Sequence, residues 1–329
     1  MRARKGGAFL TQGLNILIAH DLGDQYVAKI SVAVPNGVLR QGQPEGLTSD
    51  DLAWADIFFG WPPRKLLKQA QRLRWVHLPS AGVDAYVDLG MYARQDVILT
   101  NSSGVFGVPL AEHAFSMMLA FSRSLHHYVR FQMARRWEKL PDSGELHGKI
   151  LGILGLGDIG TELAVRAKAF GMQVWALKRK VTAKPSYVHR LVGSEGLQDL
   201  LAVSDYVVIA LPLTPETKKL IGGQELGWMQ PHAILINVGR GPIVDEPALI
   251  TALQDGRIAG AGLDVFEEEP LSGDSPLWDM PNVLITPHSG GVTPEAIRRT
   301  TEIFCHNLRL WQAGRQGEMI NVVDMEVGY

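Results

Sequence analysis

One short stretch constrains the fold more than any other part of the chain: Gly152-Ile-Leu-Gly155-Leu-Gly157-Asp158-Ile159-Gly160. It closes an apolar run, Ile150–Leu154, and opens a helical one, Asp158–Phe170, which stops at Gly171. Gly155, Gly157 and Gly160 fit the pattern G-x-G-x-x-G in the strand–turn–helix setting that gives the pattern meaning. The first glycine permits the tight turn and the third lets the helix pack on the strand. The second lets a pyrophosphate approach the backbone, while the helix N-terminus offers amide donors to phosphate. The expectation is a parallel α/β domain that holds a dinucleotide.

The rest of the chain repeats that alternation. Short apolar runs at 15–19, 56–60, 75–78 and 97–99 read as buried parallel strands, with helix-forming composition at Arg64–Arg72. A long amphipathic stretch from Val108 to Arg136 reads as a helix, with Glu112 near its start and arginines near its end. A second series of strands follows at 150–154, 173–177, 206–211, 233–238, 260–265 and 283–286. Helices are expected at 158–170, 245–254 and 294–312, with Gly171 and Gly256 as C-caps and Asp245 and Thr293 as N-caps. Two such series predict an α/β protein of two Rossmann-like, doubly wound domains with a cleft between them.

At 329 residues the chain has room for two domains, and its 46 % hydrophobic content supports a full core for each. Its 32 basic and 34 acidic residues leave a charge of −2, with no basic stripe for nucleic acid. No apolar run approaches the roughly 18 residues that cross a bilayer, so no membrane partner is expected. The basic segment Met1–Gly7 lacks a following apolar h-region and reads as a frayed tail. The single cysteine, Cys305, allows no internal disulfide, which favours a reducing, cytoplasmic setting. The histidines form no cluster with ligand spacing, so no metal is expected.

A ribose 2′-hydroxyl is normally met by a carboxylate at the end of the next strand, about 20 residues on. Here that strand ends Trp175-Ala-Leu-Lys178-Arg179-Lys180, with cations where the carboxylate belongs. Lys178 and Arg179 suit a 2′-phosphate, so NADP(H) is favoured and NAD(H) is the alternative. Hydride delivery to a carbonyl leaves an alkoxide that needs a proton, and a carboxylate-bearing substrate needs a cation to hold it. Three successive strands end in the groups required: Arg240 after 233–238, Glu269 after 260–265 and His288 after 283–286.

In that order the landmarks Gly82-Val-Asp84, Asn101–Gly104, Ala111-Glu112, Glu145-Leu-His-Gly-Lys149, the glycine turn, Leu211-Pro-Leu-Thr214-Pro-Glu-Thr217, Gly239-Arg240-Gly241, Asp264-Val-Phe and Pro287-His288 resemble the D-isomer-specific 2-hydroxyacid dehydrogenase family over nearly the whole chain. The resemblance implies interconversion of a small 2-oxo acid and its D-2-hydroxy acid. Arg240 would grip the substrate's carboxylate and carbonyl, His288 would be the acid/base, and Glu269 would bond its imidazole. A carboxylate beside an imidazole favours the charged ring. Ser80, Ala81 and Gly82 would offer amides to the substrate. Gly155, Leu156, Gly157, Asp158, Ile159, Gly160, Lys178, Arg179, Leu211, Pro212, Thr217, Val238, Gly239, Asp264 and Gly290 would line the cofactor.

The resemblance also implies a discontinuous architecture, with a substrate domain of residues 1–103 and 291–329 around an inserted dinucleotide domain of 104–290. The helices after Gly104 and Gly291 would form the crossovers of a hinge. A homodimer packed through the nucleotide domain and the stretch around Trp137 is expected. The departure at Lys178-Arg179 makes an NADPH-linked glyoxylate or hydroxypyruvate reductase the leading reading. Glutamate rather than glutamine at 269 argues against a formate dehydrogenase. Phosphite oxidation and a corepressor-like dinucleotide sensor are the alternatives. Trp61, at a strand end, is a candidate for the wall of the substrate pocket.

Overall fold

The computed structural model describes residues 13–141, 143–181 and 183–325, and the basic segment Met1–Gly7 lies outside them. The chain divides into two compact units, Met1–Val105 with Thr293–Tyr329, and Phe106–Val292. The first begins with β1 (Asn15–Ala19), α1 (Asp24–Ala33), β2 (Val38–Gln41), α2 (Ser49–Trp54), β3 (Ile57–Gly60), β4 (Trp75–His77) and β5 (Ile98–Thr100). The second contains α3 (Gly107–Ser122), α4 (Leu125–Met133), β6 (Ile150–Leu154), α5 (Asp158–Ala169), β7 (Gln173–Leu177), β8 (Arg190–Val192), α6 (Leu197–Val203), β9 (Tyr206–Ile209), α7 (Gly223–Trp228), β10 (Ile234–Asn237), α8 (Glu246–Gln254), β11 (Gly260–Leu263) and β12 (Val283–Ile285). The long helix α9 (Pro294–Gln312) returns the chain to the first unit.

Both sheets are parallel. The first runs β2-β1-β3-β4-β5 and the second β12-β11-β10-β9-β6-β7-β8. The inner strands are sandwiched, so their alternate side chains feed two cores. In β9, Val207 and Ile209 join one cluster while Tyr206 and Val208 join the other. In β1, Leu17 and Ala19 face one side and Ile16 and Ile18 the other. Burial on both faces is why these strands read as unbroken apolar runs. In the second sheet the strand order reverses between β6 and β9, so a crevice is expected outside their carboxyl ends.

The opposite edge of this sheet is tied by Asp205. Its carboxylate accepts from the Ile150 amide at 2.7 Å and from His232 Nε2 at 2.9 Å, and Lys149 Nζ stands 3.3 Å away. Burial pushes the Asp205 carboxyl up, but these three donors together outweigh it and hold the group below its ordinary 3.8. A depressed carboxylate stabilises the fold above its unfolded value and loses that contribution as pH falls through the folded one. Asp205→Asn is therefore expected to lower the urea midpoint at pH 7 and to converge on the parent protein in acid. Equal midpoints at pH 7 would show that the cluster contributes nothing.

The expected strands all form, some shortened by a residue or two. Two strands escaped the sequence reading: β2 and β8 are edge strands, Val-Leu-Arg-Gln and Arg-Leu-Val, without an apolar run. The short helices α1, α2, α6 and α7 were missed as well, although Thr48 and Asp51 form a reciprocal cap on α2. Residues 64–69 form 3₁₀ turns rather than an α-helix. The stretch from Val108 to Arg136 is not one helix. Ser124 adopts a left-handed conformation (φ 54°), and the Ser122 carbonyl takes the Gly144 amide at 2.7 Å instead of continuing the ladder.

Candidate active site

The glycine turn follows β6 at the point where the strand order reverses. The amides of Gly155 and Leu156 donate to the Leu177 carbonyl, which fixes the turn against β7. Gly155 has φ +106°, and a Cβ there would meet the Ala210 carbonyl oxygen at 2.6 Å. A Cβ on Gly160 would overlap the Gly155 carbonyl. These two positions need glycine for the fold itself. Gly157 differs, since a Cβ there would meet nothing within 4 Å. The first turn of α5 leaves its amides without helical partners, and the space beside Gly157 is open. The residues present therefore fit a pyrophosphate.

Around this turn, Lys178 is half-buried at the end of β7 and Arg179 is exposed. Beyond β9, the Thr217 hydroxyl donates to the Pro212 carbonyl at 2.7 Å and accepts the Thr214 amide at 2.8 Å, folding the loop on itself. The Glu216 carboxyl in this loop is held below its ordinary value, chiefly by the Thr214 hydroxyl, with a further contribution from Arg179. A Cβ on Gly239 would meet the Leu211 carbonyl at 2.9 Å, so the loops after β9 and β10 touch. Val238 is buried at the end of β10, in the core shared with Ile236 and Val208.

The ends of β10, β11 and β12, neighbours in the sheet, carry Arg240, Glu269 and His288. His288 Nδ1 lies 2.7 Å from Glu269 Oε2, while Glu269 Oε1 accepts the Phe266 amide at 3.0 Å. The carboxylate is thus anchored at one oxygen and presented at the other. The His288 ring is half-exposed, and its backbone is left-handed (φ 51°). Arg240 is half-buried, and its Nη1 donates to the Gly239 carbonyl at 2.8 Å. Its own carbonyl accepts from Asn237 Nδ2 at 3.0 Å. The next residue, Gly241, lies so close to Phe266 that a Cβ would overlap its carbonyl.

Residues 115–290 match the family model described as "D-isomer specific 2-hydroxyacid dehydrogenase, NAD binding domain". The chain belongs to that family. It is 40 % identical over 272 residues to a glyoxylate reductase of Aeropyrum pernix, covering 80 % of this chain and 79 % of that one. A D-isomer specific 2-hydroxyacid dehydrogenase family protein from Aeromonas salmonicida superposes with a TM-score of 0.86 at 32 % identity, covering 95 % of this chain and all of that one. A D-isomer specific 2-hydroxyacid dehydrogenase from Xanthobacter autotrophicus, solved with NADPH and MES, gives 0.80 at 33 % identity, covering 97 % and all. The protein is an NAD(P)-dependent oxidoreductase.

Elsewhere in the dehydrogenase, Ser80, Ala81 and Gly82 lie in the first unit after β4. The Ser80 carbonyl accepts the Ser102 amide at 2.9 Å, the Ala81 carbonyl accepts Asn101 Nδ2 at 2.8 Å, and the Gly82 carbonyl accepts the Ser80 hydroxyl at 2.8 Å. Because a trans peptide points its N–H opposite its carbonyl, these bonds fix the directions of the Ala81 and Gly82 amides. Asn101 was read only as a landmark, although an Asn after a buried strand is a ready loop-pinning donor. Trp61 is partly exposed and stands edge-on to His20, with ring centroids 5.2 Å apart. His77 is fully buried, and burial lowers it to about 3. Cys305 is buried in α9, and burial raises its thiol. Among the described residues no group of His, Cys, Asp and Glu could hold a metal ion. Among those residues no helix is long and apolar enough to cross a membrane.

Asp264 is the hub that the sequence reading undervalued. It is 1 % exposed, and its carboxylate accepts from the Thr286 hydroxyl at 2.6 Å, the Ser289 amide at 2.9 Å and the Gly290 amide at 3.1 Å. Its own carbonyl accepts the His288 amide at 2.8 Å.

Proposed function

We propose that this dehydrogenase is an NADPH-leaning reductase of small 2-oxo acids of the glyoxylate and hydroxypyruvate type. The observation that carries the reading is the His288–Glu269 pair at 2.7 Å, on the same sheet edge as the glycine turn. Gly155, Leu156, Gly157, Asp158, Ile159 and Gly160 hold the pyrophosphate, and Leu211, Pro212, Thr217, Val238, Gly239, Asp264 and Gly290 flank the rest of the dinucleotide. When bound, the nicotinamide supplies the hydride.

His288 is the proton donor to the carbonyl oxygen. Glu269, held by the Phe266 amide, fixes the ring through Nδ1, which leaves Nε2 to face substrate. Arg240 polarises the carbonyl and holds the carboxylate, which a planar two-pronged cation does best. The Ala81 and Gly82 amides, with Ser80, take the substrate's carboxylate.

Preference for NADPH is supported by Lys178 and Arg179, where a ribose-binding carboxylate would stand, and the NADPH-bound relative is consistent with it. The test is initial-rate oxidation of NADPH and of NADH with glyoxylate, hydroxypyruvate and pyruvate. NADPH is expected to be preferred, and Arg179→Ala should reduce that preference about tenfold by removing a phosphate contact. Equal use of the two coenzymes would refute it. Absence of turnover with every acid, despite tight dinucleotide binding, would favour the sensor or phosphite readings.

A homodimer is supported by the apolar stripe Leu125, Val129 and Met133 on α4, continued by the fully exposed Trp137. A monomer in sedimentation velocity would exclude it. The single buried cysteine is compatible with a reducing cytoplasm.

A further inference from the structure

We infer that His113 is a positioning residue for His288, acting through Thr286 and Asp264. The inference rests on the reading of His288 as the proton donor.

His113 lies on α3, 173 residues before Thr286 in sequence, yet its Nε2 is 2.9 Å from the Thr286 hydroxyl. That hydroxyl is in turn 2.6 Å from Asp264 Oδ1, which His113 Nε2 also faces directly at 3.6 Å. A hydroxyl has one proton to give. Asp264 Oδ1 already accepts backbone amides from Ser289 and Gly290, so it is an acceptor toward Thr286 as well. Thr286 therefore donates to Asp264 and accepts from His113, which must carry its proton on Nε2. With the other tautomer, Thr286 would turn its proton toward His113 and Asp264 would lose its shortest bond.

That direction matters because the turn bearing His288 hangs on Asp264. Thr286 fixes it from one side of His288, and Ser289 and Gly290 fix it from the other. The His288 amide is held by the Asp264 carbonyl. The left-handed backbone at His288 persists only where its surroundings impose it. The His113 ring also forms the floor under the turn. A Cβ on Gly290 would lie 2.7 Å from His113 Cδ2 and 3.0 Å from Asp264 Oδ2. One ring thus sets both the polarity of the chain and the height of the turn.

The test compares His113→Phe, His113→Gln and Thr286→Val with the parent enzyme, with His288→Gln as reference. Phenylalanine keeps the floor and removes the donor, whereas glutamine can place an amide N–H near the position of Nε2. The Phe and Val variants are expected to lose about 10- to 100-fold in kcat, the scale of a misplaced reacting group. The KM for the oxo acid should change little. The isotope effect with NADPH deuterated at the transferred position should rise, and glutamine should restore part of kcat. Independently of turnover, ¹⁵N-histidine spectra of the parent protein should show His113 protonated at Nε2.

An unchanged kcat and isotope effect in both His113→Phe and Thr286→Val would overturn the inference. So would a glutamine variant no better than phenylalanine, or the opposite tautomer. If His113→Phe does not fold, Thr286→Val and the spectra decide. Full activity in His288→Gln would instead refute the assignment of the proton donor, which separates the two failures.

Discussion

His288→Gln is expected to lower kcat for 2-oxo acid reduction by about 10²- to 10⁴-fold, the usual contribution of a positioned acid/base. Dinucleotide affinity, read by quenching of protein fluorescence, should change little, because the glycine turn is fixed by β6 and β7 rather than by β12. Glutamine can keep a hydrogen bond to Glu269 but has no proton to deliver at neutral pH. His288→Asn is the useful companion, since asparagine tolerates the left-handed backbone that His288 adopts (φ 51°). If both variants turn over as the parent does, proton delivery does not come from this position.

Arg240→Ala should reduce kcat/KM for the oxo acid by about 10²- to 10³-fold, the range for losing a principal donor to a developing oxyanion. The backbone around it is held independently by the Asn237 side chain and by the contact of Gly241 with Phe266, so the fold should survive. Arg240→Lys is expected to recover little, since a point charge does not reproduce a two-pronged grip on a carboxylate. Initial rates with glyoxylate and hydroxypyruvate, alongside circular dichroism, check both statements. A lysine variant at parental rates would show that charge alone suffices.

The parts legible in the sequence were those set by local pattern. Strands buried on both faces leave apolar runs, and a glycine turn between strand and helix leaves a fixed spacing. The ends of β10, β11 and β12 were legible for the same reason, because a parallel sheet delivers its strand ends to one edge. Edge strands β2 and β8 were not, since exposure removes the apolar run that marks a strand. The break at Ser124 was hidden because it depends on Gly144 competing for the Ser122 carbonyl.

The partnership of His113 with Thr286 was hidden by distance along the chain. A polar ring within the apolar helix α3 was a clue that a partner waited elsewhere. Gly241 stood in the sequence only as part of a landmark, with no local sign of why glycine is needed. It needs glycine only because another loop passes over it.

The crowding of donors on Asp264 has a consequence for how this region tolerates change. Thr286, Ser289 and Gly290 share the two oxygens of one carboxylate, and His113 acts on it through Thr286 and from 3.6 Å directly. Substitutions among these positions will not behave as independent increments. Once one member has lost its bond, the turn has already slackened, and a second change has less left to spoil. A paired substitution that restores the donor–acceptor match can cost less than either half alone. The cost of a change at His113 is therefore tied to what residue 286 can offer in return.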